Sequence, residues 1–452
     1  MPQGTYYFPK GFLWGTATAA HQVEGNNKNN NWWAWEEQPG RIANGQRSGL
    51  ACDWWGGRWK EDFDRAVETG QNTHRLSIEW SRIQPELDRW DEDALDYYRQ
   101  IVRGLVERKM APMVTLHHFT DPIWLCDGRC FPSGLGAWEN EEITGLFVTY
   151  VRKVVEALKD YVTYWVTINE PNVYVYSSYM LGAFPSGKHD LGAAFRVFRN
   201  MLRGHAAAYR AIHEIQPEAQ VGYTLNYRGF QPAHPNFPPD VWISRMLSAN
   251  FNEAFPNALV NGKLRFLYHH ASLPEAINTQ DFFGLNYYST DLVTFDPRQT
   301  AELMHRRSYP AGAEVSASGF IANVPQGMFT ALNWARHFHK PILITENGID
   351  DAEDHIRPNY LVEHLHQVWR AVNFNWQIKG YYHWSLLDNF EWDRGWTQRF
   401  GLWGLDVDTQ ARFRRPSVDI YAAICKLNGI SSGMVEKFTP KLMDKLFPGV
   451  AG

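Results

Sequence analysis

Eight short apolar segments recur along the chain, and most of what lies between them carries a helical pattern. The segments begin at Phe12 ("FLWGTATAA"), Thr73 ("THRLSIEW"), Ala111 ("APMVTLHHF") and Tyr164 ("YWVTINEP"). Four more begin at Gln220 ("QVGYTLNY"), Asp281 ("DFFGLNYYST"), Pro341 ("PILITENG") and Lys379 ("KGYYHWSLLDNF"). Short apolar runs of this kind are buried strands. Between them, Trp55, Trp59, Phe63, Ala66 and Val67 mark an apolar stripe at helical spacing. The stretch from Asp91 to Met110 has acids in its first turn and bases in its last. Further helices are expected over 140–159, 191–215, 360–376 and 417–429, the last ending in an Asn-Gly stop. Eight strands alternating with helices in 452 residues predict one closed (β/α)8 barrel spanning 1–452. A doubly wound open sheet is the alternative. It is disfavoured because no Gly-rich fingerprint follows the first strand.

In a barrel of this kind the loops at the C-terminal ends of the strands build the active site. Two strands end by presenting a carboxylate there: "TINEP" with Glu170 and "ITENG" with Glu346. Arg75, His117, His118, Asn286, Tyr288 and the run from His383 to Trp392 also fall at or near strand ends. Two carboxylates facing one centre suit hydrolysis of a glycosidic bond, one protonating the leaving oxygen and the other attacking carbon or activating water. Two competing readings remain at this point. Arg75 could pair with either Glu in a structural ion pair, or His117, His118 and the two Glu could hold a divalent metal.

Composition narrows the partners. The formal net charge is −5, with no basic excess to attract nucleic acid or an anionic membrane. No run approaches the roughly 18 apolar residues of a membrane span, and the first twenty residues lack the pattern of a signal peptide. The expectation is a soluble cytoplasmic protein. The 20 Trp residues are many, and an indole suits the apolar face of a sugar ring as well as it suits a core. Cys52, Cys126, Cys130 and Cys425 are too scattered for a disulfide framework. Cys126 and Cys130, four apart in "CDGRC", have no matching pair that would complete a zinc site.

The two carboxylate motifs do not stand alone. "GFLWGTATAAHQVEG", "HRLSIEWSRI", "LHHF", "GLNYYS", "WSLLDNFEW" and "RFGL" accompany them in order. Together they resemble the family-one glycoside hydrolases, the family of β-glucosidases and β-galactosidases, from about Phe8 to about Leu427. The resemblance implies a retaining β-glucosidase with Glu346 as nucleophile and Glu170 as general acid/base. It implies that Arg75 and Tyr288 hydrogen-bond the nucleophile and that Asn286 positions the acid/base. Asn169 would hold the sugar 2-hydroxyl. Gln22, His118, Glu391 and Trp392 would grip the other hydroxyls, and Trp384 would lie under the ring. Neither cofactor nor metal is implied. The expected substrates are terminal β-D-glucosides, with β-D-galactosides, β-D-fucosides and β-linked disaccharides beside them.

Several positions depart from the family's pattern. Phe119, Asn172 and Phe320 stand where many members have Trp, the last two on the leaving-group side. The resemblance therefore implies no preference for cello-oligosaccharides. A β-galactosidase-preferring member and an inactive sugar-binding barrel are the alternatives. Intact Glu170 and Glu346 oppose the second, and also oppose a thioglucoside specialist, which lacks the acid/base Glu. A tail from about 430 to 452 runs beyond the matched region. Thr439-Pro440 can start a short helix in it, with Phe438, Leu442 and Leu446 as apolar points. It would cover the barrel bottom or meet a second copy of the chain.

Overall fold

A computed structural model describes residues 4–126, 128 and 131–449. Eight parallel strands close on themselves: β1 (Leu13–Ala17), β2 (Thr73–Ser77), β3 (Ala111–His117), β4 (Tyr164–Asn169), β5 (Gln220–Pro232), β6 (Phe282–Phe295), β7 (Ile342–Asn347) and β8 (Ile378–Trp384). Each pairs with the next, and β8 returns to β1. The strand bodies are buried almost throughout, which is why they form continuous apolar runs rather than alternating ones.

Helices follow the strands: α1 (Trp59–Glu68), α2 (Glu92–Glu107), α3 (Ile143–Leu158), α4 (Leu191–Ile215), α5 (Pro238–Ser248), α6 (Ala254–Asn261), α7 (Pro325–Ala335), α8 (Arg357–Asn373) and α9 (Pro416–Leu427). Their starts are chemically marked. The Asp91 side chain accepts from Ala94 N at 2.9 Å, and Asp190 caps α4 through Ala193 N at 3.0 Å. Each such cap stabilises its helix by about 1 kcal/mol.

One reading of the sequence needs correction. The stripe on α1 is Trp59, Phe63 and Ala66. Val67 is exposed, because it sits about 80° around the helix from Trp59, and Trp55 precedes the helix. The helices α5, α6 and α7 carry no clear sequence signal. A widened turn at Ala249–Glu253 breaks the period between α5 and α6. In α7 the apolar period is interrupted by Gly327, where a Cβ would come within 1.9 Å of the Tyr287 hydroxyl.

The strands β5 and β6 run on past the barrel rim. There β6 turns back on an antiparallel strand at His305–Ser308. At the opposite end of the chain, Gly429–Ser431 pairs with Thr5–Tyr7. The following tail packs on the same chain: Leu442, Leu446 and Phe447 are buried, Tyr6 stacks on Phe447 and lies against Trp369 of α8, and Lys445 pairs with Glu363 at 2.5 Å. Cys52 and Cys425 are buried free thiols; Cys130 lies outside the described residues. Among the described residues no helix is long and apolar enough to cross a membrane.

Candidate active site

The barrel brings the ends of β4 and β7 to one mouth. Glu170 directly follows β4 and adopts φ +43°, ψ +60°, a left-handed conformation that costs a non-glycine residue about 1–2 kcal/mol. Its N–H donates to Thr224 O at 2.9 Å, and its C=O accepts from Tyr174 N at 3.0 Å. Pro171 then opens a short helix, Pro171–Val175, with its φ already set. The turn thus swings the Glu170 carboxyl over the barrel axis instead of letting the strand continue. Glu346 remains within β7, opposite Asn286 of β6. Its neighbour Asn347 fixes the strand end by donating to Tyr287 O and accepting from the Tyr381 hydroxyl, at 2.6 and 2.9 Å.

Both carboxyls are buried, but their partners differ in kind. Glu346 accepts from Arg75 Nη1 on Oε1 at 2.5 Å and from the Tyr288 hydroxyl on Oε2 at 2.6 Å. Glu170 accepts only neutral amides, Asn286 Nδ2 at 2.7 Å and Asn226 Nδ2 at 2.9 Å, both on Oε1. That leaves Oε2 as the oxygen of Glu170 that can carry a proton. Burial raises both pKa values. At Glu346, Arg75 and then Tyr288 oppose it. At Glu170, the negative charge of Glu346 adds to burial, and the pKa rises to about 8. Both shifts favour one shared proton in the pair, and the guanidinium favours leaving the charge on Glu346.

Asn169, the last residue of β4, is fixed in one orientation. Its Oδ1 accepts from Arg75 Nη2 and Thr224 Oγ1, each at 2.6 Å, so only its N–H groups are left for other partners. One of these lies 3.0 Å from His118 Nε2. Burial first, then Arg75, lowers the His118 pKa far below its ordinary value. A neutral ring that accepts on Nε2 carries its proton on Nδ1, and that atom is buried without a protein partner. Gln22 donates to Asn389 Oδ1, Phe390 O and Glu391 Oε2 at 3.0, 2.8 and 3.2 Å, while its own Oε1 has no protein partner. The Trp384 and Trp392 rings lie 6.2 and 5.9 Å from the His118 ring, at 26° and 21° to its plane. Burial and then the Glu346 charge raise the Glu391 pKa to about 8, which favours its protonated form at neutral pH.

A cavity of about 310 Å³ opens at this mouth, lined by Glu170, Glu346, Asn169, His118, Tyr288, Trp384, Glu391 and Trp392. Phe320 lines it as well, exposed, with the guanidinium groups of Arg228 and Arg394 5.7 and 5.5 Å from its ring. Asn172 does not fit its expected place on the leaving-group side. It is fully buried and donates to Asn226 O and Phe251 O at 2.8 and 3.1 Å, tying the short helix to β5 and to the turn at Ala249–Glu253; Val173 reaches the cavity instead. His117 turns the other way from His118, with Nε2 3.1 Å from Asp121 Oδ1. Asn226 is the residue that sequence reasoning missed. Its signal was the "LNY" repeated within β5 and β6, where Asn226 and Asn286 are register partners.

Known proteins share this sequence pattern and this fold. The sequence model of glycosyl hydrolase family 1 matches residues 5–430. Beta-glucosidase A of Thermotoga maritima is 34% identical over 94% of this chain and 98% of its own length. Among solved structures, a beta-glycosidase from Pyrococcus horikoshii superposes with a TM-score of 0.88 at 33% identity, covering 96% of this chain and 98% of that one. The beta-glucosidase of Thermotoga maritima in complex with glucoimidazole superposes with a TM-score of 0.85 at 32% identity, over 94% and 100% of the two chains.

Proposed function

The chain belongs to glycosyl hydrolase family 1 and is a glycoside hydrolase, and we propose that it releases terminal β-D-glucosyl residues with retention, Glu346 acting as nucleophile and Glu170 as acid/base. The observation that carries the assignment is the asymmetry of the pair: a guanidinium and a phenol on Glu346, two neutral amides on Glu170. In the first step a Glu346 oxygen attacks the anomeric carbon. The bond to the leaving oxygen breaks, and the proton on Glu170 Oε2 passes to that oxygen. The products are an alcohol and a glycosyl ester on Glu346. Esterification removes the Glu346 charge that helped raise the Glu170 pKa, so Glu170, now a carboxylate, is left as a base. It takes a proton from water as the water oxygen attacks the same carbon, and the ester opens to regenerate Glu346. Retention by this route calls for carboxyl groups about 5–5.5 Å apart. The N–H of Asn169 supplies a donor for the 2-hydroxyl, and Nδ1–H of His118 and Oε1 of Gln22 are the unpaired groups left for other sugar hydroxyls.

The pH profile of kcat/KM follows from these states. Glu346 acts ionised, so rate is lost as pH falls through its pKa. Glu170 acts protonated, so rate is lost as pH rises through about 8. A bell is expected, and Glu170→Ala should erase mainly its alkaline limb. An unchanged alkaline limb in that variant would assign it to another group.

Glu391 decides which sugar enters. Arg75 is spent on Glu346 and Asn169, and the charges nearest Glu391 are acidic, Glu346 and Asp350. A 6-phosphate placed there would put its charge beside Glu346 and against a Glu391 that already resists ionisation, with Arg75 committed elsewhere. An unphosphorylated sugar can instead hydrogen-bond Glu391 from its 4- and 6-hydroxyls in either configuration at C4. Turnover of an aryl β-glucoside is expected, with equal or lower activity on the galactoside. The 6-phosphoglucoside should be slower by about two orders of magnitude or more, and Glu391→Ser should weaken the neutral substrates about tenfold, the loss of one good hydrogen bond. Comparing kcat/KM across these substrates tests the reading. A preference for the phosphate overturns it, and no turnover of any of them favours a sugar-binding barrel.

A further inference from the structure

Outward from the carboxyl pair the cavity continues between the helix after β4 and the extensions of β5 and β6, and its walls change character. Val173 and Leu181 line one side, and Phe230, Leu247, Phe251 and Leu303 the other. Leu247 belongs with Ile243 and Val293 to a small hydrophobic core separate from that of the barrel, with Phe230 and Leu303 packed against it. This wall is therefore a packed surface, not a set of loose side chains. Most polar groups here are already committed; the Tyr176 hydroxyl and His305 Nδ1 are buried lining atoms without a protein partner, too few to pair the hydroxyls of a whole sugar ring. Arg228 is held by both oxygens of Asp291 at 2.7 and 2.6 Å. Ser289 Oγ donates to Ala322 O and accepts from Ala322 N, both at 3.1 Å, and Gln398 donates to Ser318 at 3.1 Å. The charged lining residues Glu302, Arg307 and Arg394 are exposed to solvent. A second sugar would bring several hydroxyls into this space, each costly to leave unpaired away from water. An apolar chain brings none. Phe230 also lies four residues beyond Asn226 along β5, on the order of 13 Å at about 3.3 Å per residue. That is further than one sugar ring extends.

We propose that this half of the cleft is a channel for an elongated apolar alcohol, a long alkyl or isoprenoid chain β-linked to glucose, in preference to a second sugar. The proposal rests on the β-glucosidase reading above and names the substrate class of that same site. It is tested with n-alkyl β-D-glucosides from butyl to octyl, below their micelle concentrations, alongside cellobiose and an aryl β-glucoside. These alkyl alcohols share one leaving-group basicity, so the slope of kcat/KM with chain length reports contact with the walls. The expected rise is about twofold per methylene or more, toward the roughly fourfold that full burial of a methylene gives. Octyl glucoside should exceed cellobiose by about tenfold or more, and Leu247→Asp or Leu303→Asp should flatten the slope. A flat wild-type series, cellobiose as the better substrate, or an unchanged slope in folded variants overturns the proposal. A flat series with normal turnover of the aryl glucoside removes the channel alone. No turnover of any glucoside removes the reading beneath it.

Discussion

Glu346→Ala is expected to lower kcat/KM by about four orders of magnitude or more on every substrate, whatever its leaving group. Without this carboxylate the glycosyl ester on Glu346 cannot form. The substitution also strands Arg75, which is fully buried and donates to Glu346 at 2.5 Å. Removing one partner of a buried pair destabilises a protein by about 3–5 kcal/mol. A lowered Tm should therefore accompany the loss of activity in the alanine variant. Glu346→Gln keeps the shape and an acceptor for Arg75, and should be equally inactive with a smaller loss of stability. Steady-state kinetics with thermal unfolding of both variants checks this. An alanine variant that retains even a hundredth of wild-type kcat/KM would contradict the assignment.

The second large effect depends on the substrate. Glu170→Ala removes the proton donor but leaves Glu346 and its two donors in place. A dinitrophenyl glucoside departs with little help, so its first step should stay fast, whereas an alkyl glucoside, whose leaving group needs a full proton, should lose about three orders of magnitude more. The ester formed from the activated substrate should then turn over slowly, because no base activates water. Azide needs no base, so added azide should accelerate that turnover and yield the β-glycosyl azide. Equal loss on activated and alkyl substrates, with no azide effect, would remove Glu170 from the acid/base role.

Much of the barrel was legible because its signal is local. A strand buried on both faces is an uninterrupted apolar run, and a run that stops at Glu or Asn marks the mouth where the strand leaves the core. That same signal fails beyond the rim. The outer part of β5 alternates between buried and half-buried residues, so the "RGFQP" extension resembles a loop. The length of β5 and β6, and the apolar wall they support, were accordingly not anticipated. In the site, Arg75, Tyr288, Asn286 and Glu391 all lie in the pocket or on its carboxyls. Asn172 was misjudged because position in a motif does not fix which way a side chain turns. One residue after the left-handed Glu170, Pro171 starts a helix whose first turn points Asn172 into the protein and Val173 into the cleft. The electrostatics of Glu391 were not legible either. Its raised pKa comes from burial and from the charge of Glu346, more than forty residues away along the chain.

The central claim is that the glucosyl group passes through an ester on Glu346. A 2-deoxy-2-fluoro-β-glucoside with a dinitrophenyl leaving group tests it directly. The fluorine slows both steps by destabilising the oxocarbenium-like transition state, while the activated leaving group speeds only the first, so the ester accumulates. Peptide mapping of the inactivated enzyme by mass spectrometry should place one fluoroglucosyl group on the peptide carrying Glu346, with one equivalent of dinitrophenol released. A label on Glu170 or Glu391, or steady turnover with no label on any carboxylate, would contradict the account.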